Sequence, residues 1–248
     1  MRVGVLGTLV WDTIDHPDGE RIQRWGGIAY SLAAAAAAIR PGWTIRPIIR
    51  LGRDLAVEAA AFLDTLPGLE RPGGVVVVDE PNNRVHLRYR DRHHRDEILT
   101  GGVGTWAGSE LEPLLHGLDA LYVNMISGFE LSLHTVGRLR RAVPGLRYVD
   151  LHSLLLGVAP DGTRVPRRLP RRETWLSAFD VVQANTRELS LLAGDDAPEA
   201  VAREAVRAGL GAFLVTDGPA GARWYAAPAA VAPGAGAGRA SCSRSPPR

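Results

Sequence analysis

Two groups of residues in this sequence are suited to binding phosphate or hydroxyl groups. Thr216, Gly218 and Gly221 form a glycine-rich turn directly after a predicted strand, and the backbone N–H groups of such a turn can face phosphate oxygens. Asp12 lies just past the first predicted strand, where ligands bind in open α/β sheets. Its carboxylate could accept hydrogen bonds from sugar hydroxyls, although the local sequence by itself favours a helix or turn cap.

Two further pairs of residues stand at the starts of predicted helices. Asn185 and Glu188 have the spacing of a capping box, in which the N-cap side chain and an acid three residues later each bond a free backbone N–H group. Gly26 and Gly27 precede another helix. Paired glycines let a ligand approach the backbone closely, and a helix start offers free N–H groups. A plain turn is nevertheless the commoner role of such a pair.

Other polar residues follow predicted strands or lie in connections. Asn124 and Asp150 stand at the carboxyl ends of two strands, so both could line one cleft. Arg84 lies at the tip of a predicted hairpin, where substrate contact and simple solvation fit the sequence equally well. His152 is interpreted as a polar core residue. His93-His94 is not expected to share a metal, because neighbouring side chains point apart.

The framework that positions these residues is a regular alternation of strands and helices. The predicted strands are 3–7, 45–51, 120–123, 146–151, 181–183 and 212–216, and the predicted helices are 31–40, 55–66, 111–115, 130–142, 187–193 and 198–208. Such alternation predicts an α/β fold with a parallel sheet covered by helices. Residues 75–78 and 84–90 are predicted to form a hairpin outside this sheet, as an accessory lid.

The motifs taken together resemble those of the ribokinase-like (PfkB) carbohydrate kinases. The resemblance is carried by Trp25-Gly26-Gly27, by Asn185-Thr186-Arg187-Glu188, and by Thr216-Asp217-Gly218-Pro219-Ala220-Gly221, in this order. It spans roughly residues 3 to 225. It implies a central, mostly parallel sheet with helices on both faces and a small β lid, whose strands lie within about residues 10–25 and 75–91.

The resemblance also implies an activity and a role for each motif. The activity is transfer of the γ-phosphoryl group of ATP to a hydroxyl of a sugar or sugar-like alcohol, with Mg²⁺. Substrate contacts are implied for Asp12, Gly26, Gly27, Ser31 and Arg84, with Ser31 at a place where the family often has Asn. The phosphate and magnesium end is implied for Asn124, Asp150, Asn185 and Glu188, with Glu188 holding the ion through water, and nucleotide binding for Thr216, Gly218 and Gly221.

One family landmark is missing from the sequence. The family's Gly-Ala-Gly-Asp turn supplies the catalytic base, but here Gly236 is followed by Ala237, and no acid follows Asp217. Loss of a general base lowers a rate by about 10²–10⁴-fold. Residues 226–248 are confined to Ala, Pro, Val, Gly, Arg, Ser and Cys242, a composition that favours disorder. A genuine short terminus and an out-of-frame reading of GC-rich DNA explain this stretch equally well.

Three interpretations of function follow. We favour a sugar-kinase relative whose chain is truncated or frameshifted, and therefore weak or inactive. A non-catalytic relative that binds a sugar or nucleotide is the second. An unrelated α/β nucleotide-binding module, in which the motifs are only caps and turns, is the third.

Composition narrows the expected partners and compartment. All 29 basic residues are Arg, against 27 acidic residues, which gives a net charge of +2. The basic clusters lack the interleaved aromatic residues of a single-strand nucleic-acid surface, so no nucleic-acid partner is expected. No apolar run approaches the length of a membrane helix, so no membrane partner is expected either. Cys242 is the only cysteine, which suits a reducing cytoplasm. Exposed lid strands could form a homodimer.

Overall fold

A computed structural model describes residues 1–71, 73–91 and 94–227. Its strands are β1 Arg2–Leu6, β2 Leu9–Asp15, β3 Arg21–Gly27, β4 Thr44–Gly52, β5 Gly74–Val78, β6 Arg84–Tyr89, β7 Arg95–Thr100, β8 Ala120–Asn124, β9 Leu146–Asp150, β10 Leu156–Val158, β11 Arg164–Pro166, β12 Val181–Asn185, β13 Ala212–Thr216 and β14 Ala222–Ala226. Its α-helices are α1 Ile28–Ala38, α2 Ala56–Asp64, α3 Gly108–Leu115, α4 Leu133–Val136, α5 Leu139–Ala142, α6 Arg172–Ser177, α7 Thr186–Ala193 and α8 Pro198–Arg207.

The main sheet has eight strands in the order β14-β13-β12-β9-β8-β1-β4-β5. All neighbours pair in parallel except β13 and β14, which are antiparallel. Parallel strands need helical crossovers, which cover both faces of the sheet and bury its apolar runs. The predicted α/β fold with a mostly parallel sheet is therefore confirmed.

Two hydrophobic clusters lie on opposite faces of this sheet, because successive side chains of a strand alternate. In β1, Val5 belongs to the cluster that α1 and α2 complete, with Leu32 and Leu63 among its members. Leu6 belongs to the larger cluster, to which α3 through α8 contribute. Helices thus cover both faces, as the sequence predicts.

A second sheet, here called the lid, has four strands in the order β3-β2-β6-β7. The predicted hairpin of residues 75–78 and 84–90 is wrong, because β5 pairs with β4 at the edge of the main sheet and only β6 joins the lid. The buried side chain of Asn82 explains the crossing between sheets. It accepts a hydrogen bond from Gly52 N and donates one to Leu9 O, both at 3.0 Å, so the connection is tied to β2 and β4 rather than folded back as a tight turn.

The helix predicted over residues 130–142 is two short helices, α4 and α5. Ser132 is the N-cap of α4, where its hydroxyl accepts a hydrogen bond from Thr135 N at 3.1 Å. Glu130 lies before this cap, with its carboxylate turned back to the preceding loop. Strands β7, β10, β11 and β14 and helix α6 have no counterpart among the predicted elements.

No helix among the described residues is long and apolar enough to cross a membrane. Arg92, His93, the segment Gly234-Ala235-Gly236, Cys242 and the low-complexity stretch from residue 228 onward lie outside the described residues.

Candidate active site

The predicted site residues that follow main-sheet strands meet at one edge of the sheet. Register pairs Asn124 with Asp150, and Asp150 with Gln183 on the next strand. Asn185 is paired with Thr216 in the same way. Since these strands are parallel, their carboxyl ends form a continuous row, and such a row is where ligands bind in open α/β sheets.

Asp12 lies on β2 and is only 7% exposed. Burial raises its pKa to about 6, with Arg24 acting in the opposite direction and Glu97 in the same one. Gly26 lies directly against this side chain, because a Cβ atom on Gly26 would fall 1.8 Å from Asp12 Oδ2. The missing side chain at Gly26 therefore makes room for Asp12, and the substrate contact implied for Gly26 stays a prediction.

Gly27 is the N-cap of α1 and has a φ of 59°, in the left-handed region that favours glycine. A Cβ atom here would lie 2.6 Å from Thr8 O and 2.7 Å from Ile126 Cγ2. The backbone of Ile28 donates to the same Thr8 oxygen at 3.1 Å. The second glycine of the pair thus brings the start of α1 against the loop that follows β1.

Ser31 and Asn124 are brought together across the cleft. Asn124 Nδ2 donates to Ser31 Oγ at 3.2 Å. Asn124 Oδ1 is buried and has no hydrogen-bond partner among the described residues. A buried acceptor without a donor is costly, so this oxygen is free to accept a hydrogen bond from a ligand hydroxyl or from the water shell of a cation.

Asp150 is the next polar residue along the row of strand ends. Burial raises its pKa to about 6, although hydrogen bonds from His152 N and from Gln183 favour the charged form. Its Oδ1 accepts from His152 N at 3.2 Å, and its Oδ2 accepts from Gln183 Nε2 at 2.8 Å. These two donors fix the orientation of the carboxyl group.

Asn185 and Glu188 form the capping box that their spacing predicts. Glu188 N donates to Asn185 Oδ1 at 2.8 Å, and Asn185 N donates to Glu188 Oε2 at 2.8 Å. Burial, with a smaller contribution from the charge of Asp150, raises the pKa of Glu188 to about 7, while the hydrogen bond from Asn185 N and the charge of Arg187 act in the opposite direction. The capping role accounts for the spacing, and the electrostatic link to Asp150 is a property that spacing does not reveal.

Asp150 and Glu188 fit a bound divalent cation, because each would be stabilised in its charged form by a positive ion between them. No group of three or more His, Cys, Asp or Glu residues in the described part of the chain could hold a metal ion. A cation held here would therefore keep much of its water shell, as Mg²⁺ commonly does.

The glycine-rich turn lies beside the start of α7. Thr186 Oγ1 donates to Thr216 O at 3.3 Å and to Asp217 Oδ1 at 3.0 Å. Gly218 and Gly221 have φ angles of 50° and 94°, which explains both glycines by backbone conformation. The Asn185–Glu188 motif and the Thr216–Gly221 turn are thus in direct contact.

Arg84 lies outside this cluster. Its neighbour in the lid register is Trp11, whereas Val85 is the neighbour of Asp12, so Arg84 and Asp12 are on opposite faces of the lid. Arg84 Nη2 donates to Asp54 Oδ2 at 2.7 Å. Arg84 is thus paired with Asp54 on the face of the lid opposite Asp12, and its implied substrate contact stays a prediction.

The sequence-based predictions missed a cavity of about 320 Å³ between the lid and the body. It is walled by β7, the turn after β9, the β10–β11 hairpin and the first turn of α7, with Arg95, Glu97, His152, Arg164, Arg187 and Glu188 among its lining residues. Arg95 and Glu97 also act on the pKa of Asp12, so this cavity and the Asp12 region share one electrostatic environment. The sequence of β7, Arg-Asp-Glu-Ile-Leu-Thr, lacks apolar alternation, which is why Arg95 and Glu97 were missed.

His152 is exposed within this cleft rather than buried in the core as predicted. Its φ of 36° lies in the left-handed region, which is uncommon for a residue other than glycine and is often found at functional sites. Enclosure by the protein, Arg95 and Arg164 lower the pKa of His152 to about 4. Its Nδ1 is 2.9 Å from Ser153 Oγ, and this hydrogen bond orients the imidazole.

No protein-family model and no curated protein sequence matches the chain. Solved structures do match. A pyrophosphate-dependent kinase in the ribokinase family, complexed with a pyrophosphate analogue and myo-inositol, is 21% identical, with a TM-score of 0.70 over 92% of this chain and 78% of that chain. Ribokinase from Thermotoga maritima is 18% identical, with a TM-score of 0.67 over 90% and 74% of the two chains. Arabidopsis thaliana ribokinase complexed with ribose and ATP is 16% identical, with a TM-score of 0.65 over 91% and 74%.

Proposed function

We propose that this chain, which has the ribokinase fold, binds a small sugar or sugar-like alcohol and a phosphoryl donor with Mg²⁺, in an arrangement suited to phosphoryl transfer to a hydroxyl group. One observation carries the proposal. Three carboxyl groups with raised pKa values, Asp12, Asp150 and Glu188, border the carboxyl edge of the sheet and the lid. Carboxyl groups with perturbed pKa values in a cleft are characteristic of functional sites.

The acceptor alcohol is assigned to the lid side of the cleft. Asp12 of lid strand β2 packs against Gly26 of the neighbouring lid strand β3 and can accept hydrogen bonds from two hydroxyl groups. Asn124 Oδ1 offers an unused acceptor nearby at the end of β8. Ser31 Oγ accepts from Asn124 and also hydrogen-bonds the Tyr122 side chain, so it borders the alcohol site as part of this polar group. These groups suit a compound with several hydroxyls.

The donor is assigned to the row of strand ends from Asp150 to Thr216. Asp150 and Glu188 would hold the cation through water, and Asn185 with the Gly218–Gly221 turn would lie beside the phosphates. A bound Mg²⁺ neutralises charge on the phosphate oxygens. The protein's own contribution is to hold both reactants in place and to keep Glu188 and Asp150 oriented through Asn185 and Gln183.

The rate of phosphoryl transfer depends on a base that this sequence lacks. Gly236 is followed by Ala237, and no acidic residue follows Asp217, so the base that the family resemblance implies is missing from this sequence. We therefore propose that the chain as written transfers phosphoryl groups weakly or not at all. A non-catalytic relative that binds a sugar or nucleotide is the alternative that the same observation favours.

Ligand-dependent thermal stabilisation tests the binding proposal. The solved relatives were crystallised with myo-inositol, ribose, ATP and a pyrophosphate analogue, so these alcohols, with ATP and pyrophosphate as donors, form the first panel. We expect one alcohol, and one donor with Mg²⁺, to raise the melting temperature. Glu188→Gln should weaken the stabilisation by the donor and leave the stabilisation by the alcohol unchanged. No response to any donor, or an identical response in Glu188→Gln, would indicate an unrelated α/β module.

Turnover is then measured on the ligands that bind. Phosphorus NMR of the alcohol product, with the Asp12→Asn variant as a control, distinguishes the two functions. Slow, Asp12-dependent product formation supports a weak kinase. Binding of both ligands without product supports the non-catalytic relative.

We also propose a cytoplasmic homodimer formed through the lid. Strand β3 lies at the edge of the lid sheet, with Arg21, Gln23 and Arg24 exposed along it, and an open strand edge can pair with another copy. Light scattering of the purified chain should give twice the mass of 26.6 kDa. A monomer at high concentration would contradict the dimer and leave the ligand assignments unchanged.

A further inference from the structure

The cavity between the lid and the body contains an arginine whose hydrogen-bonding capacity is mostly unused. The side chain of Arg164 is only 3% exposed. Its Nη2 donates to Ser153 O at 3.3 Å, but its Nε and Nη1 have no hydrogen-bond partner within the described part of the chain. A guanidinium has five N–H donors, and leaving buried donors unpaired is costly.

Glu97 lies next to this unused edge but does not satisfy it. Its Oε1 is 3.7 Å from Arg164 Nε, which is too long for a hydrogen bond. Glu97 is on lid strand β7, whereas Arg164 is on the β10–β11 hairpin of the body. The two charges therefore face each other across the cleft without closing on each other.

Three arginines and three acids line the cavity, with Glu97 and Glu188 among the acids, and the arginines are the groups that an anion would contact. Arg95 and Arg187 also line the cavity, and Arg95 lies 4.0 Å from Glu97. Asp96, an acid in the same wall, is occupied by Arg90 through two hydrogen bonds of 2.8 and 2.9 Å. The volume of about 320 Å³ is ample for a phosphate group attached to part of a small molecule.

We propose that Arg164 binds an anionic phosphate or pyrophosphate group in this cavity, and that Glu97 is the protein carboxylate that this group displaces. The planar fork of a guanidinium matches two phosphate oxygens at once, and the edge formed by Nε and Nη1 is the part that remains unused. Because Glu97 belongs to the lid, an anion that takes its place connects binding in the cavity to the position of β7.

The inference deepens the proposed function and rests on it for the identity of the ligand. A phosphate group reaches this cavity either as part of the phosphoryl donor or as a phosphate carried by the acceptor alcohol. Both sources present the same chemistry to Arg164. The experiment therefore first tests the anion site and then distinguishes its source.

Titration calorimetry of the full chain with inorganic phosphate and with pyrophosphate, without Mg²⁺, tests the site. We expect Arg164→Met to weaken binding at least tenfold, and Arg164→Lys to weaken it as well, because lysine lacks the fork. Arg168→Met is the matched control, since Arg168 is 83% exposed and pairs with Asp195 at the surface. It should bind as the parent does.

Glu97→Gln keeps the inference testable if the Arg164 variants fail to fold. This variant preserves shape and removes the competing charge, so we expect it to bind phosphate several-fold more tightly. Weaker binding by Glu97→Gln, equal binding by Arg164→Lys, or no phosphate binding by the parent would overturn the inference and leave Arg164 as an ion-pair partner of the lid.

Competition with a non-hydrolysable ATP analogue and Mg²⁺ identifies the source. Displacement of phosphate by the analogue assigns the site to the donor. Simultaneous binding of both assigns it to a phosphate on the acceptor. If alcohol and nucleotide stabilise the chain but phosphate does not bind, the inference fails and the proposed function stands. If phosphate binds through Arg164 but no alcohol or nucleotide does, the anion site stands and the proposed function fails.

Discussion

The carboxylate of Asp12 occupies the space that a side chain at position 26 would need. A Cβ atom on Gly26 would lie 1.8 Å from Asp12 Oδ2 and 2.3 Å from its Cγ. Gly26→Ala must therefore displace Asp12, and overpacking of this kind costs about 1–3 kcal/mol. We expect lower thermal stability together with loss of alcohol-dependent stabilisation.

The control for this variant is Gly104→Ala. A Cβ atom on Gly104 has nothing within 4 Å, and the residue is exposed. It should leave both the melting temperature and the ligand response near those of the parent. A Gly26→Ala variant with an unchanged alcohol response would show that Asp12 does not contact the alcohol.

The pH dependence of the free energy of unfolding should reveal the raised pKa values of Asp150 and Glu188. Burial holds the pKa of Glu188 at about 7 and that of Asp150 at about 6 in the folded state. The folded chain thus binds protons that the unfolded chain releases, so this contribution to stability is complete at acid pH and is lost as pH rises through 6 to 7.

Glu188→Gln isolates this effect, because Gln keeps the capping box and cannot ionise. We expect it to be more stable than the parent at pH 8 by roughly 1–3 kcal/mol, with the difference vanishing near pH 4. Urea denaturation at the two pH values measures it. A variant less stable than the parent at pH 8 would mean that the charged carboxylate is favourable in the fold.

Substitution of Asp12 should change alcohol affinity and substitution of Arg84 should not, because the two residues lie on opposite faces of the lid. Asp12→Asn should weaken alcohol binding about tenfold or more, because it removes charge-assisted hydrogen bonds. Arg84→Met should leave alcohol affinity unchanged and lower stability by less than about 1 kcal/mol, since its partner Asp54 is also partly exposed. Calorimetry with the alcohol and thermal melting test both statements, and an alcohol-binding defect in Arg84→Met would contradict this placement.

Glu130 should be important for stability rather than for ligand binding. Only 3% exposed, it accepts hydrogen bonds from Thr8 Oγ1 at 2.7 Å, Ser127 N at 2.6 Å and Gly128 N at 3.0 Å. Glu130→Gln replaces one acceptor oxygen with a donor facing these groups, so we expect a loss of about 1–3 kcal/mol. Glu112→Gln, at an exposed position, is the control, and equal stability of the two variants would refute the argument.

The main sheet was predictable because most of its strands are short runs rich in apolar and β-branched residues, as in β1 and β13. The strand predicted at residues 212–216 coincides with β13, and Val215 within it is fully buried. The placement of Asn124 and Asp150 in one row followed from the same reasoning, since parallel strands end at one edge.

The lid was harder to predict because its strands carry charge on the face that borders the cleft. Arg95, Glu97 and Leu99 lie on one face of β7, and the two charged residues conceal the apolar pattern that would mark a strand. The run at residues 75–78 is apolar enough for either sheet, and only its pairing with β4 decides the matter. Long-range contacts of this kind leave no local signal.

The chemical role of the site residues was only partly predictable. Spacing identified the capping box of Asn185 and Glu188, but the charge of Asp150 that acts on Glu188 depends on two strands brought together by folding. The unused donors of Arg164 depend on the β10–β11 hairpin, which no sequence pattern indicated.

The Asn82 side chain has a consequence for how the molecule opens. This fully buried amide joins the end of β4 to the start of β2 through Gly52 N and Leu9 O, and its own backbone N–H is held by Asp54 Oδ1 at 2.7 Å. Three chain segments therefore share one set of hydrogen bonds at the root of the lid. The lid should therefore bend about this junction and separate from the body only when the central sheet itself unfolds. Backbone amides at the root of the lid should then exchange as slowly as those of the central sheet.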